Sequence, residues 1–271
     1  MVHLFGKIDT DPFLPFDTDP FLPAFLPHMQ RHTATLRFSA WRDSREPLDA
    51  ESDKDGVMKS DNLIVGSMKW GGFSNIAGGV LVAAAYLSHP HHETPEVIAS
   101  NYWLWTHVLF VLSLLFGIFG LIALMGHTFR KVTISGLVGY LIAISSLILI
   151  FGLNYYETFI NPVVAVEAPQ FVESYGAGLM IGAVAMLFPT TGGLFVIGYV
   201  MFSIDLLRSK QLGRGAPGLM IIGVLVFGAG LSGFFPMLVV QLGSIVFGVA
   251  TAWLGYQLIK AASDQAFQPM Q

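Results

Sequence analysis

Two long apolar runs joined by a short basic turn constrain this chain more than any other feature. The first run begins at Asn101, the second ends at Glu157, and the turn between them reads Gly126-His-Thr-Phe-Arg-Lys131. A helix needs about 20 apolar residues to cross the hydrocarbon core of a bilayer, and each run is long enough. The sequence therefore predicts a membrane-spanning helical hairpin.

The composition agrees with a membrane protein. Of the 271 residues, 54% are hydrophobic and only 12% are charged, whereas soluble domains carry about 25% charged residues. The chain contains no cysteine, which excludes disulfides, thiolate-zinc sites and iron–sulfur clusters. Its net charge of −4 gives no indication of a nucleic-acid partner, and no cofactor is predicted.

Beyond Lys69 the apolar runs predict one all-α domain, a bundle of six transmembrane helices within residues 58–271. The predicted spans are approximately 70–88, 102–125, 132–156, 176–204, 217–235 and 237–259.

The segment before this domain has a different character. Ile8-Asp-Thr-Asp-Pro-Phe-Leu-Pro15 is followed by the near-repeat Phe16-Asp-Thr-Asp-Pro-Phe-Leu-Pro23, and a polar, charge-mixed tract comes next. Repeated prolines prevent regular helices, and the polar tract has few apolar residues with which to form a core. We interpret residues 1–57 as a disordered cytoplasmic tail. Met58 and Met68 are alternative starts, so the tail is also a candidate non-native extension.

Lysine and arginine are segregated along the chain, and this bias predicts orientation. The loops that hold them contain Lys59, Lys69, Arg130, Lys131, Arg208, Lys210, Arg214 and Lys260. The alternate loops, about 88–101, 157–175 and 235–236, hold neither residue type. The expected protein is therefore a multi-pass protein of a bacterial cell membrane with both termini in the cytoplasm.

Small residues recur on one face of two predicted spans, where they allow helix backbones to approach closely. The third span carries Gly136, Gly139, Ala143 and Ser146, and the sixth carries Gln241, Ser244, Gly248, Ala252 and Gly255. We expect both faces to pack against other helices.

Four polar residues are predicted to lie at a similar depth near the non-cytoplasmic ends of their spans. They are His107, Asn154, Glu157 and Gln241. Polar groups within a membrane are costly and usually face a partner or a cavity. We predict a polar cluster here; the alternative is that His107 only hydrogen-bonds a neighbouring helix. Asp205 is expected at the opposite interface, near Arg208.

Two further segments are candidates for chemistry. His89, His91, His92 and Glu93 in the first predicted outer loop carry imidazole and carboxylate groups, which are ordinary metal ligands. Their spacing matches no metal motif, so a solvated loop is the alternative. Pro189, Thr190 and Thr191 are predicted to break the fourth span and could form a substrate site as in transporters, or a simple packing kink.

Several short motifs together resemble a group of small, uncharacterised bacterial multi-span membrane proteins, classed as a domain of unknown function. They are Ala77-Gly-Gly, His89-Pro90, Trp103-x-x-x-His107 and Tyr155-x-Glu157. The resemblance extends over about residues 69–260. It implies the helical membrane fold and supplies no activity.

The sequence favours a non-enzymatic accessory or lipid-interacting membrane protein. One alternative is a small-solute transporter that uses the broken fourth span. Another is a metal-binding membrane enzyme or redox protein with a site on the non-cytoplasmic side. The expected partner is the lipid bilayer, with a second copy or another membrane protein also open.

Overall fold

A computed structural model describes residues 50–232 and 234–266, with the side chains of residues 63–265 apart from 233. The proline-containing repeat and the rest of residues 1–49 lie outside this part. Helix α1 begins at Ala50, so the predicted tail extends too far: residues 50–57 belong to a helix.

The described chain contains helices and no strand, which confirms the all-α class. The long helices are α1 (Ala50–Leu87), α3 (Asn101–Thr128), α4 (Ile134–Phe159), α7 (Gly182–Ser209), α8 (Gly215–Leu231) and α9 (Met237–Ala266). Three short helices, α2 (Pro95–Ile98), α5 (Asn161–Glu167) and α6 (Pro169–Tyr175), lie between them, and a 3₁₀ turn covers Phe129–Lys131.

Five helical segments of the described residues are long and apolar enough to cross a membrane. They are Leu63–Leu87, Asn101–Lys131, Ile134–Glu167, Gly182–Ser209 and Met237–Gln265. Helix α8 has only 17 residues, or about 25 Å, which is less than the roughly 30 Å of bilayer hydrocarbon. The count of six full-length spans is therefore not confirmed; five are supported, with a shorter apolar sixth helix.

Two predicted span boundaries are wrong because the backbone leaves the helical conformation there. The predicted fourth span includes residues 176–181, but α6 ends at Tyr175 and Gly176 has a φ of 76°. Helix α7 begins only at Gly182. Helix α8 ends at Leu231 instead of continuing to residue 235.

Local caps fix where two of the long helices begin. The Ser100 hydroxyl accepts a hydrogen bond from the backbone N–H of Trp103 at 3.3 Å, which caps α3. The Thr133 hydroxyl accepts from the N–H of Gly136 at 3.2 Å and caps α4. Each cap satisfies a donor that the first helical turn leaves without an intrahelical partner.

The six long helices form a closed ring. Around the ring, α1 packs against α3, α3 against α4, α4 against α7, α7 against α8, and α8 against α9, which returns to α1. The core therefore lies along the axis of the ring, where all six helices contribute side chains.

Helices α1 and α9 approach most closely through glycines spaced seven residues apart. A Cβ atom on Gly72 would lie 2.7 Å from the carbonyl oxygen of Gly255, and one on Gly79 would lie 2.3 Å from that of Gly248. One further step along both helices, the Gln241 side chain donates to the carbonyl of Tyr86 at 3.3 Å. The predicted packing face of the last span is confirmed.

The predicted face of the third span is confirmed as well. A Cβ atom on Gly139 would lie 2.7 Å from the backbone nitrogen of Phe202, and one on Gly198 would lie 2.4 Å from that of Ala143. Helices α4 and α7 therefore make backbone contact along this face.

The short helices form a cap around one end of the ring. Ile98 of α2, Ala165 of α5 and Val172 of α6 are buried together with Trp103 at the start of α3. We call this the His107 end of the ring. The opposite end, which carries Arg130 and Lys131, is the basic end.

Candidate functional site

In the described residues, the only contact within 4 Å between a basic and an acidic side chain joins α3 to α4. The Nε2 atom of His107 lies 3.6 Å from the Oε2 atom of Glu157. His107 is 1% exposed, and the side chain of Glu157 is 16% exposed. The indole N–H of Trp103, one turn before His107, donates to the backbone carbonyl of Glu157 at 2.9 Å. The pair is therefore supported by a second link between the same helices.

Aromatic rings enclose the imidazole of His107. The Trp103 ring stacks on it with a centroid distance of 3.9 Å and an interplanar angle of 22°. The Phe110 ring meets it edge-on at 5.5 Å, and the His89 ring lies tilted at 5.4 Å. This environment excludes water from most of the ring, which strengthens the interaction with Glu157.

The hydrogen bonds of His107 determine how the pair holds protons. Its Nδ1 lies 3.0 Å from the carbonyl oxygen of Trp103, and because a carbonyl only accepts, Nδ1 carries a proton. A His107 ring protonated only at Nδ1 is neutral, and an ionised Glu157 carries one negative charge. One further proton, on Nε2 of His107 or on the Glu157 carboxyl, brings the net charge of the pair to zero. A buried site favours that state because an unpaired charge is costly there.

The structure does not place all four residues of the predicted polar cluster together. Asn154 turns back on its own helix, where its amide donates to the carbonyl of Ile150 at 3.1 Å. Gln241 donates to Tyr86 as described above. Both residues satisfy backbone carbonyls, whereas His107 and Glu157 contact each other.

Beside the pair, a cavity of about 80 Å³ lies on the axis of the ring. All six long helices contribute to its wall, which includes six aromatic side chains: Tyr86, Phe110, Phe195, Tyr199, Phe227 and Phe247. Asn154 also lines it, whereas His107 and Glu157 do not. The ionisable pair is therefore adjacent to the cavity but outside its wall.

Polar atoms in the cavity wall lack partners within the described part of the chain. The hydroxyl groups of Tyr86 and Tyr199 form no hydrogen bond there, and the Asn154 side-chain oxygen accepts none. The amide nitrogen of Asn154 is its only bonded group. The fully buried side-chain atoms without a partner in the described residues are two others, Asn161 Oδ1 and Gln257 Oε1. With no partner among the described residues, the three atoms of the wall can bond to a ligand or to water.

The histidines of the loop after α1 are separated by the fold. His89 packs into the bundle, with its ring against Tyr86 and Trp103 and its Nδ1 3.0 Å from the carbonyl of Pro90. Burial lowers the pKa of His89 below its ordinary value of 6.5. His91, His92 and Glu93 are exposed. Among the described residues, no group of three His, Cys, Asp or Glu side chains is arranged to hold a metal ion.

The predicted break in the fourth span is wrong, because α7 continues through Pro189 without interruption. The hydroxyl of Thr190 donates to the carbonyl of Met186 at 2.7 Å, and that of Thr191 donates to Phe188 at 2.9 Å. These bonds remain within one helix. Neither threonine lines the central cavity, so the segment forms no substrate site there.

Two polar residues have roles that the sequence reasoning missed. Asp205 is 3% exposed and accepts hydrogen bonds from the hydroxyl of Thr133 at 2.5 Å and from its N–H at 3.3 Å, instead of pairing with Arg208. Asn161 is fully buried and donates to the carbonyl of Ala177, which holds the cap segment together. For the contact between Asp205 and Thr133, the sequence offers one indication, the capping residue Thr133 at the start of α4 in Thr133-Ile-Ser-Gly136.

The fold and the site together define a class, a helical membrane protein with an aromatic central cavity. Comparison with protein-family models, curated proteins and solved structures finds no match. The resemblance to a bacterial membrane family therefore remains a prediction.

Proposed function

We propose that this chain is a non-enzymatic integral membrane protein that binds a small amphipathic molecule in its central cavity. The observation that carries the proposal is the wall itself. It combines aromatic rings from five of the six long helices, all except α4, with polar atoms of Tyr86, Tyr199 and Asn154 that have no partner among the described residues. Binding sites for small molecules typically have this composition, an apolar wall with a few polar groups.

The wall restricts the chemistry of the ligand. A cavity of about 80 Å³ accommodates a ring-sized group or the end of a longer chain. The Asn154 oxygen accepts hydrogen bonds, and a tyrosine hydroxyl both donates and accepts. The ligand is therefore uncharged and compact, with an apolar body and a hydroxyl or similar group. A molecule of this kind partitions into lipid, which agrees with the lipid-interacting role favoured by the sequence.

The position of the ionisable pair supports binding over catalysis. His107 and Glu157 are the residues best suited to proton transfer. They lie beside Tyr86 and Phe110 of the cavity wall, but His107 and Glu157 themselves do not line the cavity. A general acid or base must come within hydrogen-bond reach of the reacting group. In this arrangement the pair links α3 to α4 and leaves the cavity to neutral groups.

Two adjacent glycines on α7 provide a matched test. Gly192 lines the cavity, Gly193 does not, and a Cβ atom on either meets nothing within 4 Å. We expect Gly192→Leu to fill the cavity and Gly193→Leu to leave it open. Organic extraction of the purified proteins, followed by mass spectrometry, should recover one lipophilic compound from wild type and from Gly193→Leu, but not from Gly192→Leu. Recovery of equal amounts of the compound from the two variants would contradict the proposal. So would recovery from wild type but from neither variant.

A small-solute transporter is the second candidate, and the closed ring of six helices favours it. Its pathway would follow the ring axis through the aromatic residues, because the segment at Pro189 is a continuous helix. Solute uptake by liposomes containing the protein, blocked by Gly192→Leu but not by Gly193→Leu, would support transport over binding alone.

A further inference from the structure

A second and larger concavity lies on the outside of the ring, between α1 and α3 at the basic end. We call it the α1–α3 groove. Its volume is about 1030 Å³, and its wall includes Trp70, Phe119, Ile122, Gly126, His127 and Arg130. It is separate from the central cavity, with which it shares no residue. We propose that it is a binding site for one anionic diacyl phospholipid.

The groove exists because small residues bring the two helices together. A Cβ atom on Gly71 would lie 1.9 Å from that of Ala123, so α1 and α3 touch at this crossing. Gly126, one turn further along α3, has open space around its Cα. Large apolar side chains rise on either side: Trp70 is 76% exposed and Phe119 is 50% exposed. The result is a lipid-facing trough with a small-residue floor.

The groove is apolar at one end and polar and basic at the other, in the same order as the acyl chains and headgroup of a phospholipid. Phe116 and Phe119 line its apolar part, whereas the other end holds His127 of α3, Arg130 of the 3₁₀ turn that follows, and Gln265. From Phe116 to Arg130 the helical rise amounts to about 20 Å. One bilayer leaflet with its headgroups is about 20–22 Å thick. A single lipid with its tails beside the phenylalanines therefore places its phosphate beside Arg130.

Charge selects an anionic lipid over a zwitterionic one. Arg130 lines the groove, and among the residues whose side chains are described no carboxylate forms an ion pair with it. Guanidinium groups bind phosphate oxygens through two parallel N–H bonds. Trp70 adds an indole ring of the kind that favours the headgroup region. Basic pockets between helices at a membrane surface commonly hold anionic headgroups.

Neighbouring residues supply matched controls for both parts of the site. Lys131 adjoins Arg130 but does not line the groove, so Lys131→Gln removes the same charge without touching the site. Gly66 also has open space around it and does not line the groove. Gly66→Leu is therefore the control for Gly126→Leu, which would fill the floor.

The experiment is native mass spectrometry of the delipidated full chain in detergent. It is titrated with phosphatidylglycerol, with phosphatidylcholine of the same acyl chains, and with inorganic phosphate. We expect one bound phosphatidylglycerol, held at least fivefold more tightly than phosphatidylcholine, and no retained phosphate. Arg130→Gln should weaken binding about fivefold, and Lys131→Gln less than twofold. Gly126→Leu should abolish binding, and Gly66→Leu should not change it.

Three results would overturn the proposal. Equal affinity for the two lipids would remove the role of charge, and retention of phosphate alone would remove the role of the groove. If another protein or another segment of the chain covers the groove, no lipid binds at unit stoichiometry and Gly126→Leu has no effect. The central cavity is not involved in any of these measurements, so its own proposal is tested independently.

Discussion

The Nε2 atom of His107 and the Oε2 atom of Glu157 lie 3.6 Å apart, at the point where the indole of Trp103 already links α3 to the backbone of Glu157. At 3.6 Å the contact is an electrostatic one and slightly longer than a hydrogen bond. The pair is therefore a second link between two helices that are connected in sequence by a basic turn at the opposite end of the ring.

This link predicts different consequences for two substitutions of Glu157. Glu157→Gln keeps an amide that can donate to Nε2 of His107, so we expect a loss of less than about 1 kcal/mol. Glu157→Leu leaves that buried nitrogen without a polar partner and should cost about 1–3 kcal/mol. Thermal unfolding in one detergent, followed by circular dichroism, measures both. Equal losses for the two variants would show that the pair does not stabilise the fold.

The burial of His89 predicts a dependence of stability on pH. Its pKa in the folded protein is below the value of 6.5 that applies when it is exposed, so acid protonates the unfolded chain first. Stability should therefore fall as the pH drops below about 6.5 and level off below the folded pKa. His91 and His107 lie near the same ring, so the wild type is compared with His89→Phe, which keeps an aromatic ring at this position.

The control for this comparison is His92→Phe, at an exposed position of the same loop. We expect the unfolding temperature of His89→Phe to change less between about pH 7.5 and pH 5 than that of wild type. His92→Phe should follow the wild-type curve. Parallel curves for wild type and His89→Phe would assign the pH dependence to other groups.

The glycine contacts between α1 and α9 predict a strong effect of one methyl group. In Gly79→Ala the new Cβ atom would lie 2.3 Å from the carbonyl oxygen of Gly248, so the helices must separate. Overpacking of this kind costs about 1–3 kcal/mol. Gly66→Ala on the same helix adds a methyl group that meets nothing within 4 Å and should be neutral or slightly stabilising. Denaturant unfolding of the two variants distinguishes the contact from a general effect of helix propensity.

A buried carboxylate predicts a further stability effect at the basic end. Asp205 accepts two hydrogen bonds from Thr133, at the residue that caps α4. Asp205→Ala leaves both donors without this partner and should cost about 2–3 kcal/mol. Arg208→Gln, one turn further along α7, should change stability by less than about 0.5 kcal/mol. If the two variants lose equal stability, an ion pair between these residues is indicated instead.

The sequence predicted the helical class and the placement of His107 near Glu157 for a simple physical reason. Helices have a fixed rise, so counting residues from the basic turn gives the depth of each side chain. The packing faces of α4 and α9 followed from the recurrence of small residues at helical spacing. In each case the deciding information is local and periodic.

Other features depend on tertiary contacts that spacing does not encode. Asn154 has the correct depth for the polar cluster, but its amide turns to the carbonyl of Ile150. Pro189 predicts a break in the middle of a span, yet α7 begins only at Gly182, which places the proline close to the start of a continuous helix. The cavity wall requires knowledge of which helices are neighbours in the ring.

The contact between α1 and α9 has a consequence for the order of assembly. During synthesis α1 enters the membrane first of the described helices, whereas its most extensive neighbour, α9, is made after all the others. The glycines of α1 therefore face lipid, or a helper protein, until α9 arrives. The wall of the central cavity includes Phe247 and Thr251 of α9, so the cavity is complete only in the finished ring, and the proposed binding would begin only then.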